Sequence, residues 1–471
     1  MLILSKILSA MQRRKLYLDY FAALAPVHLK IPIVPLALLT LLAACSSPPP
    51  PPAPCAQGLI GGSACQALAS FQRAEASQNL QARLFVDGTD SMRGFVNATG
   101  ATTRYQQLLR ALEDGLQQFP QVQRQSFKFG TSVAAVPSER RLNVLAGKNQ
   151  DFYKGVGLYT ELEQVLNDRY LPSRSGQLGV IVTDLFQRDT DVTSLIRLLK
   201  NRYLQKGWVV GIVGVESAFD GVVFDLDTEQ AKKSIRANRP VYALVLGSYV
   251  DVAHYFDGIN QADSNLQKQA QFLIFTARPF RSRVNFFSEA PAVEAGDGGL
   301  IDMGLLEDER TYWFRLQGEP PTATFKACGQ VEPLPYALAA EVGGDWRAQV
   351  LAVPTGTKPR PLPAEVVQVR TDAGSCETAA KDNPPSRPLG VAVQVETKAL
   401  NSEQSADYFF ALAAHPELNT FPRWWDSWNT DDAVNEPSRT LHLKQFLRSL
   451  AAVALNENAG SDLSMYFYIR R

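Results

Sequence analysis

Histidine and cysteine are scarce in this chain, at four and five among 471 residues. No two cysteines have C-x-x-C spacing and no cysteine-histidine cluster exists, which excludes the common structural zinc sites. Beyond His28, the histidines His254, His415 and His442 have no partners at ligand spacing, which argues against a two-metal hydrolase built on imidazoles. An excess of one charge is missing too: 47 Lys and Arg face 47 Asp and Glu, so there is no electrostatic footprint for nucleic acid. Also absent are a G-x-S-x-G nucleophile elbow, a phosphate-cradling G-x-x-x-x-G-K-[ST] loop and any repeat of fixed period. Pro32 and Pro35 cut the most apolar stretch, residues 31–42, below the length that spans a bilayer.

That stretch is nevertheless informative. Arg13, Arg14, Lys15 and Lys30 precede it, the charge-then-apolar order of a secretory signal. It ends Leu42-Ala43-Ala44-Cys45, which resembles the lipobox of bacterial lipoproteins. The resemblance implies cleavage before Cys45, diacylation of its sulfur and, with Ser46 next, a place at the outer membrane, on its periplasmic or surface face. Residues 1–44 are then a signal peptide, and anchoring is by lipid rather than by a spanning helix. Removing the five basic residues and one acidic residue of 1–44 leaves 42 basic against 46 acidic. Five prolines, Pro48 to Pro52, should form an extended spacer within a linker over 45–79.

Composition shifts again near residue 290, which predicts two domains, 80–290 and 291–471. Upstream, helical spacing over 102–119, with Tyr105, Leu108, Leu109 and Leu112 on one face, alternates with strand-like runs at 126–136, 178–184, 208–215, 241–246 and 271–275. The alternation predicts a mainly parallel sheet flanked by helices. Downstream, short β-like runs at 311–316, 349–353, 365–369, 389–395 and 463–469 predict a β-rich, sandwich-like α+β module. One helix interrupts it, with Leu441, Phe446, Leu447, Leu450 and Val453 as its stripe. Cys55 with Cys65 and Cys328 with Cys376 are candidate disulfides in an oxidising compartment. The second would close 48 positions and contribute about 4 kcal/mol in the chain-entropy model.

The chemistry concentrates in Leu84-Phe85-Val86-Asp87-Gly88-Thr89-Asp90-Ser91. An apolar strand runs into a carboxylate and two hydroxyls at alternate positions, and extended backbone would put Asp87, Thr89 and Ser91 on one face. Two further oxygens are available: Thr160, in a glycine-bearing loop expected to open a helix through Leu166, and Asp184, at the end of the apolar run 178–183. Oxygen donors of this kind suit a hard cation such as Mg²⁺ or Mn²⁺.

Residues 81–217 resemble the von Willebrand factor type A domain with its metal-ion-dependent adhesion site. Asp87, Thr89 and Ser91 match the D-x-S-x-S motif, Thr160 matches the second-loop threonine, and Asp184 matches the third-loop aspartate. The departures are Thr89 for serine, Gly88 and Asp90 in the intervening places, and Leu185 after the aspartate. Of these Asp90 matters most, because a further carboxylate aimed at the ion would weaken its pull on an acidic ligand. The resemblance implies a Rossmann-like domain that holds one Mg²⁺ or Mn²⁺ and binds a protein partner through that partner's acidic side chain, without catalysis. The alternative is a metal-dependent hydrolase of phosphate or other esters, with Thr89 or Ser91 as nucleophile. Trp424, Trp425 and Trp428 read as core or domain junction before interface, and His254 reads as a surface or capping residue.

Overall fold

The computed structural model describes residues 75–98, 102–137, 139–157, 159–185, 192–224, 231–286, 300–306, 311–316, 322–355, 357–363, 366–371, 387–400, 406–456 and 463–470. The leader, Cys45, the proline spacer, Cys55, Cys65, Cys376 and the expected boundary near 290 lie outside these residues. Within them the chain is a mixed α/β protein with a large β-rich part.

The first sheet contains β1 (Asn79–Asp87), β2 (Gln121–Phe129), β3 (Val133–Val136), β4 (Gln177–Thr183), β5 (Val209–Phe224), β6 (Ala231–Gly247) and β7 (Gln271–Phe275), in the order β3-β2-β1-β4-β6-β5-β7. Strand alternation serves two cores at once. Leu84, Val86, Val180 and Val182 enter the core on one face, while Phe85 and Ile181 enter the other, so apolar runs rather than alternating ones mark these strands.

The sheet is less parallel than expected: only β1 with β2 and β1 with β4 pair in parallel, and the remaining pairs are antiparallel. Two local causes account for this. The expected strand at 126–136 is two strands folded back at Gly130-Thr131-Ser132, which are turn formers. β5 and β6 are joined as a hairpin, a connection too short for a parallel crossover. The polar first half of β6, with Lys233, Arg236 and Asn238, does not read as strand because it lies beyond the sheet.

Helix α1 (Gly94–Asn97) follows the first motif, and α2 (Arg104–Asp114) begins at a capping box in which Thr103 accepts from the Gln106 N–H and Gln106 accepts from the Thr103 N–H. The expected helix over 102–119 therefore starts two residues later and finishes as a 3-10 turn, Gly115–Gln118. On the opposite face lie α3 (Val192–Arg202) and α4 (Leu443–Asn456). Trp425 and Trp428 are buried there beside Phe275 and Tyr242, as a core reading of the tryptophans predicts.

The β-rich part has two sheets. One runs Val367–Thr371, Arg387–Val395, Ala323–Pro333, Phe280–Phe286 in spatial order; the other runs Arg360–Leu362, Glu341–Pro354, Ala406–Glu417, Leu463–Arg470, Thr311–Leu316, Leu300–Leu305. Phe325, Val391 and Val393 of the first share a core with Phe314, Phe410 and Phe467 of the second. The last strand returns to its sheet and pairs in parallel with Thr311–Leu316. Cys328, on Ala323–Pro333, is disulfide-bonded. No helix among the described residues is long and apolar enough to cross a membrane.

Candidate divalent-cation site

β1 is flanked by β2 and β4, both parallel to it, so the chain leaves β1 on one side and returns on the other. Crevices open beyond the carboxyl ends of strands at such a reversal. Register fixes what meets there. Val86 pairs with Val182, which sets Asp87 beside Thr183 and brings Asp184 just past the strand end.

The five expected residues converge. Asp87 Oδ1 accepts from the Thr89 backbone N–H at 3.0 Å and from Thr89 Oγ1 at 2.7 Å. Thr160 Oγ1 donates to Asp87 Oδ2 at 2.7 Å. Thr89 Oγ1 lies 3.1 Å from Ser91 Oγ and 3.2 Å from Thr160 Oγ1, and Ser91 Oγ lies 3.5 Å from Asp184 Oδ1. All five are buried, Ser91 the least so at 9% exposure.

The local route differs from the expected one at two points. β1 stops at Asp87, and Ser91 reaches the cluster from a 3-10 turn, Asp90–Arg93, after Thr89 at φ −84° and ψ 167°. The turn carries Asp90 outward, where it pairs with Arg93 at 3.1 Å, so the extra carboxylate faces away from the other oxygens. Around Thr160 there is a loop and one 3-10 turn, Leu162–Gln164, rather than a helix through Leu166. Asn167 ends it, because its side chain donates to the Gln164 carbonyl and accepts from the Arg169 N–H, which competes with helical pairing. Gly157 lets the loop pass: its φ is +98°, and a Cβ there would sit 1.9 Å from Thr131 Oγ1.

Leu185 occupies the left-handed region at φ 58°, where a branched side chain is strained and glycine is at ease. Its N–H donates to Thr183 Oγ1 at 3.1 Å, and that hydroxyl in turn donates to Asp87 Oδ2 at 3.1 Å. The residue after Asp184 thus keeps a glycine's backbone without being glycine.

Burial is the main cause that raises the Asp87 carboxyl from its ordinary 3.8 to about 7, and the neighbouring Asp184 charge is the second; hydrogen bonds from Thr89 and Thr160 pull the other way. Sequence reasoning missed two members of this neighbourhood. Thr183 was visible as the residue before Asp184. Arg239 was not, since its place follows only from the β5–β6 register, which pairs it with Ser217. Its Nη1 lies 3.7 Å from Asp184 Oδ2, with both side chains buried. Burial lowers the guanidinium's proton affinity and Asp184 raises it.

The donor chemistry fits a hard cation. Oxygens on adjacent corners of an octahedral Mg²⁺ shell, each about 2.1 Å from the ion, stand about 3 Å apart. The separations of 3.1, 3.2 and 3.5 Å among Thr89, Ser91, Thr160 and Asp184 are close to that spacing. Among the described residues no group of three or more His, Cys, Asp and Glu could hold a metal ion. Any ion here would depend on hydroxyls beside two carboxylates. His254, by contrast, sits on Tyr249–Ala262, makes a hydrogen bond with the Gln118 carbonyl and packs on Phe119, a structural role. No family model, curated protein or solved structure matches this chain.

Proposed function

We propose that this protein is lipid-anchored in the bacterial cell envelope and binds a protein partner through a divalent cation, in the manner of a type A domain. The observation that carries the reading is the meeting of five oxygen-bearing side chains from three separated segments at one strand-end crevice. Asp87 and Asp184 would supply charge to Mg²⁺ or Mn²⁺, and Thr89, Ser91 and Thr160 would orient it. The bound ion supplies a Lewis-acidic position that a partner's Asp or Glu can fill. Binding is favoured over ester hydrolysis because both candidate nucleophiles are buried, Thr89 at 1% and Ser91 at 9% exposure, and His254 and His442 are engaged elsewhere, with the Gln118 carbonyl and Asp431.

The full chain, solubilised from membranes and titrated calorimetrically with Mg²⁺ or Mn²⁺, should show one binding event that Asp87→Ala abolishes. Partner recovery from native membranes should fall on adding chelator. No heat of binding, together with partner recovery unchanged by Asp87→Ala, overturns the reading.

A further inference from the structure

A buried carboxylate pair is stabilised by a compensating cation in the folded protein, and the outer half of the β5–β6 hairpin brings one. Val210–Gly214 pair with β7, and Tyr242–Leu246 pair with β4. The remainder, through Phe224 and back from Ala231, continues past the sheet as a two-stranded ribbon. β5 runs in the direction of β1, so the ribbon projects from the edge that carries Asp87 and Asp184.

Packing fixes the ribbon there. Phe219 meets Phe95 edge-on at 5.0 Å, and its ring lies where a Cβ on Gly94 would be, 2.3 Å away. Ser217 Oγ accepts from the Tyr105 N–H at the start of α2, and Arg104 donates to the Glu216 carbonyl. On this base the Arg239 guanidinium stacks 4.8 Å from the Phe219 ring centroid and faces Asp184 at 3.7 Å, itself 3% exposed. A planar, permanently charged group stacked on an aromatic ring and aimed at a carboxylate is arginine's distinctive geometry.

We propose that Arg239 is the resident counter-cation of this carboxylate pair: it competes with a divalent ion for Asp184 and, when an ion binds as well, leaves the site with a net positive charge that selects an anionic ligand. The second half rests on the metal-bridged reading above. The charge count is direct. Two carboxylates and a divalent ion sum to zero, and Arg239 makes the loaded site a monocation that attracts a partner carboxylate.

The experiment compares calorimetric binding of Mg²⁺ and Mn²⁺ by the full chain and by Arg239→Met, which keeps the stem and removes the charge. Both ideas hold if the wild type binds and the variant binds about tenfold tighter or more. If only the variant binds, Arg239 already fills the ion's role in the native protein, so the counter-cation proposal stands and the metal-bridged reading fails. If the wild type binds and the variant binds equally or more weakly, the proposal fails while the metal reading stands. No binding by either overturns both. Arg239→Gln, which also removes the charge but keeps a polar end, provides the same check if the methionine variant does not fold. Its affinity should rise about tenfold or more, and equal or weaker binding overturns the proposal. Melting in chelator adds a separate readout: Arg239→Met should lose stability there and recover it on adding Mg²⁺, whereas loss unaffected by the ion means that Arg239 only packs.

Discussion

Asp87→Asn should stabilise the metal-free protein while destroying divalent binding. The wild-type carboxyl, moved from its ordinary 3.8 to about 7 by burial and then by Asp184, carries roughly 4 kcal/mol of destabilisation above pH 7. The folded state holds its proton more tightly than the unfolded state does. The contribution of that proton is therefore fully present below 3.8 and gone once pH exceeds about 7. Asparagine keeps the Oδ1 acceptor for the two bonds from Thr89, and the Thr160 and Thr183 hydroxyls can turn to accept from its amide. The amide still costs something to bury, so about 2 kcal/mol of the ceiling should appear as added stability at pH 8. Urea unfolding of both proteins in chelator measures it. The gap should shrink by about 1.4 kcal/mol per pH unit as pH falls below 7, close at about pH 5.5 and reverse towards pH 4, because the wild type then regains its proton. An asparagine variant no more stable than wild type at pH 8, or a gap indifferent to pH, refutes the electrostatic account of the site. Added Mg²⁺ should raise the wild-type midpoint and leave the variant's unchanged.

Three further outcomes are expected. Trp425→Ala removes a fully buried indole that packs on Phe275 and Phe421 and should cost about 3–5 kcal/mol in urea unfolding; a loss under about 1 kcal/mol would mean that this core collapses around the gap. Gly94→Ala drives a methyl into the Phe219 ring, so it should cost about 1–3 kcal/mol and tighten divalent binding as the displaced ribbon carries Arg239 away from Asp184; unchanged stability by thermal melting would contradict the packing. Leu185→Gly relieves the strain at φ 58° but loses a partly buried side chain, so net stability should stay within about 1 kcal/mol of wild type, and a much larger loss would assign Leu185 to the core.

The oxygen cluster was legible because its signals are local. Asp87, Thr89 and Ser91 fall within five positions, and Asp184 closes a run whose β-branching marks a buried strand. The runs at 271–275 and 311–316 were legible for the same reason and coincide with observed strands. What the sequence hid depends on pairing. The sheet's antiparallel half follows from the β5–β6 hairpin, whose returning segment, Lys233 to Arg239, is polar because it leaves the sheet. Arg239 looks like one more surface charge until register sets it opposite Ser217. Thr160 was found, but its helix was not, since side-chain bonds from Asn167 replaced helical pairing. Leu185 could have been read sooner, because a residue standing where the resembled metal-site motif usually has glycine must adopt glycine's conformation or move the aspartate before it.

The cover provided by α4, Trp425 and Trp428 comes much later in the chain than β5, β6 and β7, the strands against which the tryptophans pack. A chain made from its amino end therefore exposes one greasy side of β5, β6 and β7 until residues 424–456 have been made. Nascent chains stopped short of α4 should be the ones that chaperones hold longest, and a ribosome stalled there would present that apolar side bare.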